Sequence, residues 1–515
     1  MTEPLPTTAA NANPRWGKVV DHESCIGCHA CSTACKSENE VPLSVNRTYV
    51  KYVDVGEYPN ARRAFQVTRC NQCADSPCTA ACPTSAMFTR PDGIVDFDKD
   101  ICIGCKACMA ACPYDAIFIN PNDHSAEKCN FCAHRIDIGL EPACVVVCPT
   151  EAIMVGDLND PLARVTQMIN GDVVNVRRPE KETSPKLFYR GAHQTTLDPL
   201  AARRPEGDLF MWSEQLSATN GGPQMVVSGH PGEPNSSAAA LLSYDVPHKA
   251  PWDWRVSLYT LTKSIAAGAY LVGLTVSPSS VLWAWAAPLL ALTFLAITGV
   301  LLLSDLEHPS RFYLIFTRPQ WRSWLVRGAF IITGYGGVLA LHLALSLLGG
   351  TWSDPTWLKI PGILLAAATA AYTAYLFAQA KARDMWQNPL LPFHLLVQAF
   401  IAGSAALMPV AYLLDPSELG RLSWVLAISS LIHLLLIAGE ITLPHGTAHA
   451  SLAVQEMTTG RFSTWFWLGL VGAAAGCALP WAGAGSSLAL AAVAFAGLGF
   501  YEHAYVQAGQ SVPLA

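Results

Sequence analysis

Sixteen of the chain's 17 cysteines stand in four groups of four, all before residue 150. The groups are Cys25, Cys28, Cys31, Cys35; Cys70, Cys73, Cys78, Cys82; Cys102, Cys105, Cys108, Cys112; and Cys129, Cys132, Cys144, Cys148. Their spacings are C-x2-C-x2-C-x3-C, C-x2-C-x4-C-x3-C-P, C-x2-C-x2-C-x3-C-P and C-x2-C-x11-C-x3-C-P. Beyond residue 250 the sequence becomes a succession of apolar segments. The first half must therefore be organised around sulfur and the second around hydrocarbon.

A C-x2-C-x2-C loop brings three thiolates to three corners of one iron–sulfur cube, and the cysteine three residues on serves a neighbouring cube. Structural zinc sites instead pair two C-x2-C motifs some distance apart, often with histidine, and fit these runs poorly. A disulfide framework belongs to small secreted domains. Sixteen thiolates suffice for four [4Fe-4S] clusters. Pairing group one with four, and two with three, gives the expected sets: Cys25, Cys28, Cys31 with Cys148; Cys129, Cys132, Cys144 with Cys35; Cys70, Cys73, Cys78 with Cys112; and Cys102, Cys105, Cys108 with Cys82. The 17th, Cys477, lies in an apolar stretch and reads as a small buried residue.

Of 515 residues, 51% are hydrophobic and 14% charged, and a net charge of -6 argues against a nucleic-acid partner. The first residues, MTEPLPTTAANANP, carry no basic, apolar or twin-arginine export pattern. The expected organisation is a disordered tail over 1–14, an α+β ferredoxin-like multi-cluster domain over 15–185, a Gly-, Pro- and Ser-rich connector over 186–250, and an all-α transmembrane bundle over 251–515. Aromatic pieces of the connector, LFYR and LFMWSE, are expected to pack on a neighbour. Eight spans are expected, near 256–276, 281–303, 324–348, 358–379, 392–413, 422–441, 464–482 and 486–506.

With eight spans, Lys249, Arg255, Arg311, Arg318, Arg322, Lys381, Arg383 and Arg461 fall on the side of the cluster domain, against Lys359 and Arg421 opposite. The positive-inside rule puts the cluster domain in the cytoplasm, at the inner membrane.

The four cysteine groups, over about 18–157, resemble the electron-transfer subunit of complex iron–sulfur molybdoenzymes such as polysulfide, dimethyl-sulfoxide and nitrate reductases. The membrane half resembles the polysulfide-reductase (NrfD-type) quinone-binding subunit. That likeness rests on Gly268-Ala269-Tyr270, Asp305-Leu306-Glu307-His308-Pro309 with Arg311-Phe312, and YVQAGQSVP over 505–513. The resemblance implies a two-subunit fusion, a separate molybdopterin-dependent catalytic subunit, and membrane quinone (ubiquinone or menaquinone) as redox partner. It also implies that groups two and three lie nearer the membrane.

Ionisable residues at membrane depth are functional candidates. Lys263, with Tyr259 one turn before it on the same face, and Asp305 and His308 after the second span form the expected quinone contacts. For Arg327 and His394 snorkelling or capping is favoured. Glu440, His445, Glu502 and His503 also lie near span ends. His342 and His433, deeper in spans three and six, read as interhelical hydrogen-bonding groups, with a proton path as the sharper alternative. No pterin or nucleotide site is recognisable, so substrate chemistry is expected elsewhere. Rival readings keep the module but attach it to a hydrogenase or another dehydrogenase, make it a redox-driven proton pump, or reduce it to a passive anchor.

Overall fold

The computed structural model describes residues 14–203, 240–349 and 356–514. Residues 1–13 of the expected tail and the central connector over 204–239, including LFMWSE, lie outside the described residues.

The first part is built from short elements between cysteine loops. A four-stranded sheet runs in the order Ile153–Asp157, Trp16–Asp21, Leu187–Arg190, Val174–Asn175. Trp16–Asp21 pairs antiparallel with Ile153–Asp157 and parallel with Leu187–Arg190, so both ends of the cysteine region close on one another. The LFYR piece of the connector is thus a strand of this sheet. A second sheet sets Ala240–Tyr244 against Thr48–Val55, which pairs with Arg62–Arg69. Both described ends of the connector therefore pack on the cysteine domain.

Helices α1 (Ala30–Glu38), α2 (Pro77–Ala81) and α3 (Ala107–Ala111) follow the first three cysteine loops. A proline disfavours helical backbone at the residue before it. Cys82, before Pro83, and Cys112, before Pro113, accordingly sit in extended backbone with ψ of 120° and 111°. Each helix stops there and its last thiol leaves its own loop. Cys35 precedes Lys36 instead, and α1 continues past it to Glu38.

The second part is helical: α4 (Trp254–Gly273), α5 (Ala287–Asp305), α6 (Trp324–Leu348), α7 (Thr356–Gln379), α8 (Leu391–Leu414), α9 (Leu419–Thr442), α10 (Ala448–Thr458), α11 (Ser463–Cys477) and α12 (Ala484–Ser511). Its outward faces are apolar: Val300, Leu364, Leu413 and Leu435 are all more than half exposed. A surface of that kind is suited to lipid. Among the described residues six helices are long and apolar enough to cross a membrane, against the eight expected spans. The other two apolar segments are helical but fall short of those six. Lys263, Thr260, Thr262 and Ser264 dilute α4, and α11 has only 15 residues.

Small residues set the closest helix approach. Gly268 of α4 faces the Ala399 carbonyl and the Gly403 backbone of α8, where a Cβ would overlap the main chain. Close backbone contact of this kind holds helices together where lipid offers no hydrophobic drive.

Candidate functional site

Cys102, Cys105, Cys108 and Cys82 line one pocket, walled by Met87, Phe97 and Ile103. Cys25, Cys28, Cys31 and Cys148 line another, walled by Val50, Val67 and Ile153. In each, three thiols come from one loop and the fourth from the partner group. The other two sets adjoin in the same way. Burial, with Cys70, Cys112 and Cys73 close by, pushes the Cys78 thiol well up despite Lys128. Burial and the neighbouring Cys129, Cys144 and Cys132 do the same to Cys35. Burial raises most of these thiols, though Lys18 and Arg69 outweigh it and lower Cys144; a bound metal supplies the positive charge that ionises the raised ones.

Main-chain and side-chain N–H groups point at these sulfurs. Ala126 donates to Cys102 Sγ at 3.4 Å, Met87 to Cys82 Sγ at 3.4 Å and Gln72 to Cys70 Sγ at 3.5 Å. Arg69, fully buried, donates from Nη1 to Cys144 Sγ at 3.0 Å. Four-thiol donor sets in apolar pockets with N–H···S bonds fit [4Fe-4S] ligation. Among the described residues, no three His, Cys, Asp or Glu side chains converge as a single-ion site.

The third cysteine loop sits directly on the membrane half. Gly104 takes φ +68°, and the Glu307 side chain fills the place of its missing Cβ. His308 N–H donates to the Ile103 carbonyl at 3.2 Å, and Arg311 Nη1 to the Lys99 and Cys102 carbonyls at 2.7 and 3.0 Å. Ser323 Oγ donates to the Ala81 carbonyl at 2.8 Å. Trp252 Nε1 donates to the Cys105 carbonyl at 3.3 Å. Groups two and three therefore face the membrane bundle.

The four residues chosen from sequence as quinone contacts separate into two places. Asp305 and His308 belong to the loop just described, where Asp305 receives Lys106. Lys263 and Tyr259 are sealed between helices, at 0% and 2% exposure. Lys263 Nζ donates to the Ala370 carbonyl at 2.8 Å and to Thr373 Oγ1 at 2.9 Å, and Tyr259 donates to the same Thr373 at 3.2 Å.

His394 and His433 meet instead, Nε2 to Nδ1 at 2.7 Å, with the Tyr501 ring beside both. His342 lies elsewhere, against Tyr270 and Trp283, so the structure does not join it to His433. Tyr501 donates to Glu440 at 3.0 Å, and Asn388 Nδ2 donates to the other Glu440 oxygen at 3.3 Å. In the sequence His394 and Glu440 stand as isolated ionisable residues. Their shared cleft depends on the relative rotation of α8, α9 and α12, for which one sequence offers no signal.

Comparison with known proteins agrees with both halves. Residues 62–158 match the 4Fe-4S dicluster domain family, and residues 244–482 match the family described as polysulphide reductase, NrfD. A polysulfide reductase chain of Wolinella succinogenes is 41% identical over 177 residues, covering 34% of this chain and 93% of that protein. A tetrathionate reductase subunit of Salmonella typhimurium is 40% identical over 209 residues, covering 39% of this chain and 80% of that protein. The arsenate respiratory reductase iron–sulfur subunit of a Shewanella strain is 34% identical over 223 residues, covering 34% and 95%. The chain therefore belongs to the family of iron–sulfur electron-transfer subunits found in tetrathionate and polysulfide reductases, continued in the same polypeptide by an NrfD membrane domain.

Proposed function

We propose that this chain carries electrons between a molybdopterin-dependent catalytic subunit and membrane quinone through four [4Fe-4S] clusters, held by the four cysteine sets named above. The observation that carries this reading is the seat of the Cys102, Cys105, Cys108 and Cys82 cavity against the bundle, with Trp252 bonded to the Cys105 carbonyl. Clusters of this type supply one-electron steps. The chain's own residues fix where those steps occur. Arg311, His308 and Lys106 clamp the third loop to the helices, and Met87, Phe97 and Ile103 keep water from its sulfurs.

The membrane domain is read as an eight-span unit of the inner membrane, with α4 and α11 spanning beside the six longer helices. Arg311, Arg322 and Arg383 lie at the end of the bundle that meets the cysteine domain, which supports a cytoplasmic cluster side. A catalytic partner is inferred from the names of the relatives, each a part of a reductase.

Anaerobic purification of the complex tests this reading. It requires about sixteen iron atoms per chain, a co-purifying large subunit that contains molybdenum, and electron exchange with quinone, read as loss of the reduced-cluster EPR signals on adding quinone or their growth on adding quinol. Zinc in place of iron, or clusters that neither quinone oxidises nor quinol reduces, would overturn it. Protease digestion of the cysteine domain only in inside-out vesicles tests its side.

A further inference from the structure

The sequence-chosen residues leave quinone without an entrance. Lys263 and Tyr259 direct their donors to α7 and are closed from lipid, and Asp305 holds Lys106. An open cleft exists elsewhere. It lies at the cluster-side end of α8, α9 and α10, has a volume of about 270 Å³, and is lined by Asn388, Leu390, His394, Glu440, Leu443 and Val454 among others. Its mixture of apolar walls with a few convergent polar groups is typical of small-molecule sites.

Three features make this cleft fit an amphipathic, neutral, two-carbonyl ring with an apolar tail. First, Leu390 and Leu443 at its rim are apolar and 47% and 61% exposed, so a tail can lie along them. Second, Asn388, Tyr501 and the His394–His433 pair bring N–H and O–H groups to its inner end, around the Glu440 carboxylate. Third, His394 also lines a smaller inner cavity with Phe377, Gln398, Tyr501 and Glu502. Gln398 Oε1 is buried there without a hydrogen-bond partner. A buried acceptor left open costs free energy unless a ligand or water fills it.

An electron route leads to the same place. Trp252, bonded to the Cys105 carbonyl, stacks on Phe377 at 5.9 Å, and Phe377 stacks on Trp386 at 4.5 Å. Phe377 is a wall of the inner cavity. The aromatic stack thus spans from the third cysteine loop to the cavity that His394 lines.

Resting on the quinone reading above, we propose that this cleft, bounded by Asn388, His394, Glu440 and Leu443, is the quinone site. Conversion of one quinone to quinol takes two electrons from the clusters and adds one proton to each ring oxygen. Glu440, resupplied by water at the cleft mouth, is the acid for that transfer, and the reverse reaction returns the protons to it.

The intact complex, purified anaerobically, is irradiated with an azidoquinone and the labelled peptides are mapped. Label within 388–394 or 436–454, displaced by excess quinone, supports the site. Label confined to the peptides of Tyr259 and Lys263, or of Asp305 and His308, overturns it while leaving quinone as the partner. No displaceable label anywhere overturns both. Leu443→Trp should raise the quinone KM by about tenfold and Glu440→Gln should lower kcat by about a hundredfold, while dithionite still develops the full cluster EPR signals in both. An unchanged KM in the first with an unchanged kcat in the second overturns the proposal.

Discussion

Lys106, in the third cysteine loop, places its ammonium 3.0 Å from the Asp305 carbonyl and 3.3 Å from the Asp305 carboxylate at the end of α5. Glu307 lies 3.1 Å from the same ammonium. Burial works against this charge, but Asp305 and Glu307 more than offset it and hold the Lys106 pKa above the usual lysine value. The bond joins the cysteine domain to the membrane half. Lys106→Met leaves two part-buried carboxylates unpaired and should cost about 1–3 kcal/mol, discounted from fully buried pairs for partial exposure. Adding Asp305→Asn should recover part of that loss in a double-mutant cycle. Thermal denaturation of the complex in detergent measures both, and strict additivity would refute the coupling.

Arg69 bears on electron energetics. Its guanidinium donates to Cys144 Sγ at 3.0 Å inside the domain. A positive charge and an N–H beside a ligand sulfur favour the more negative, reduced form. Arg69→Met should therefore lower the potential of the centre at Cys129, Cys132, Cys144 and Cys35, with a one-electron scale of about 59 mV per tenfold change in relative stability. EPR-monitored redox titration should show that centre moving most, the centre at Cys25, Cys28, Cys31 and Cys148, which Arg69 also faces through Cys31, moving less, and the other two still. No movement, or an upward one, would contradict the assigned role.

The cysteine sets were legible because their signals are local. Spacing places three thiols in one loop, and proline after Cys82 and Cys112 turns the fourth away. The strand Ala240–Tyr244 was hidden, since five residues after a Gly-, Pro- and Ser-rich stretch show little periodicity, and tertiary pairing with Thr48–Val55 decides them. Within the membrane, apolar length revealed the helices but not their rotation. Lys263 could be recognised as buried, yet its partner Thr373 lies 110 residues on. His394 looked like a helix-capping group because it sits in the first turn of α8. Only the packing of α9 against it brings His433 to 2.7 Å.

His248 predicts a pH dependence. It lies in the connector, outside the helices, with Nδ1 2.5 Å from Asp115 and Nε2 3.2 Å from Asp245. Burial lowers its pKa, but the two carboxylates overcome that and raise it to about 9. The folded value lies above the unfolded one, so the stabilisation is complete below about pH 6.5 and is lost as pH rises through about 9. A shift of that size is worth roughly 3 kcal/mol. The Asp115 side of the pair fails only in acid, since burial raises its pKa but His248 together with Arg383 outweighs that and holds the carboxyl below its usual range. Melting temperature of the complex should fall between pH 7 and 10, and His248→Gln should remove most of that slope while lowering stability at pH 7. An equally steep slope in the variant would exclude His248 as its source.

The approach of α4 to α8 sets the last expectation. Gly268 and Gly403 oppose each other so closely that a methyl group on either would overlap main-chain atoms of the other helix. Main chain cannot swing aside as a side-chain tip can, so Gly268→Ala must separate the helices or distort one. Overpacking of this kind costs about 1–3 kcal/mol. The separation would also shift Lys263, on α4, relative to its α7 acceptors Ala370 and Thr373. Gly299→Ala serves as the control, because on α5 nothing lies within 4 Å of the point where its Cβ would stand. Gly268→Ala should lower the melting temperature and the quinone-dependent rate together, whereas Gly299→Ala should lower neither. Equal behaviour of the two variants would mean that the helices yield at this crossing.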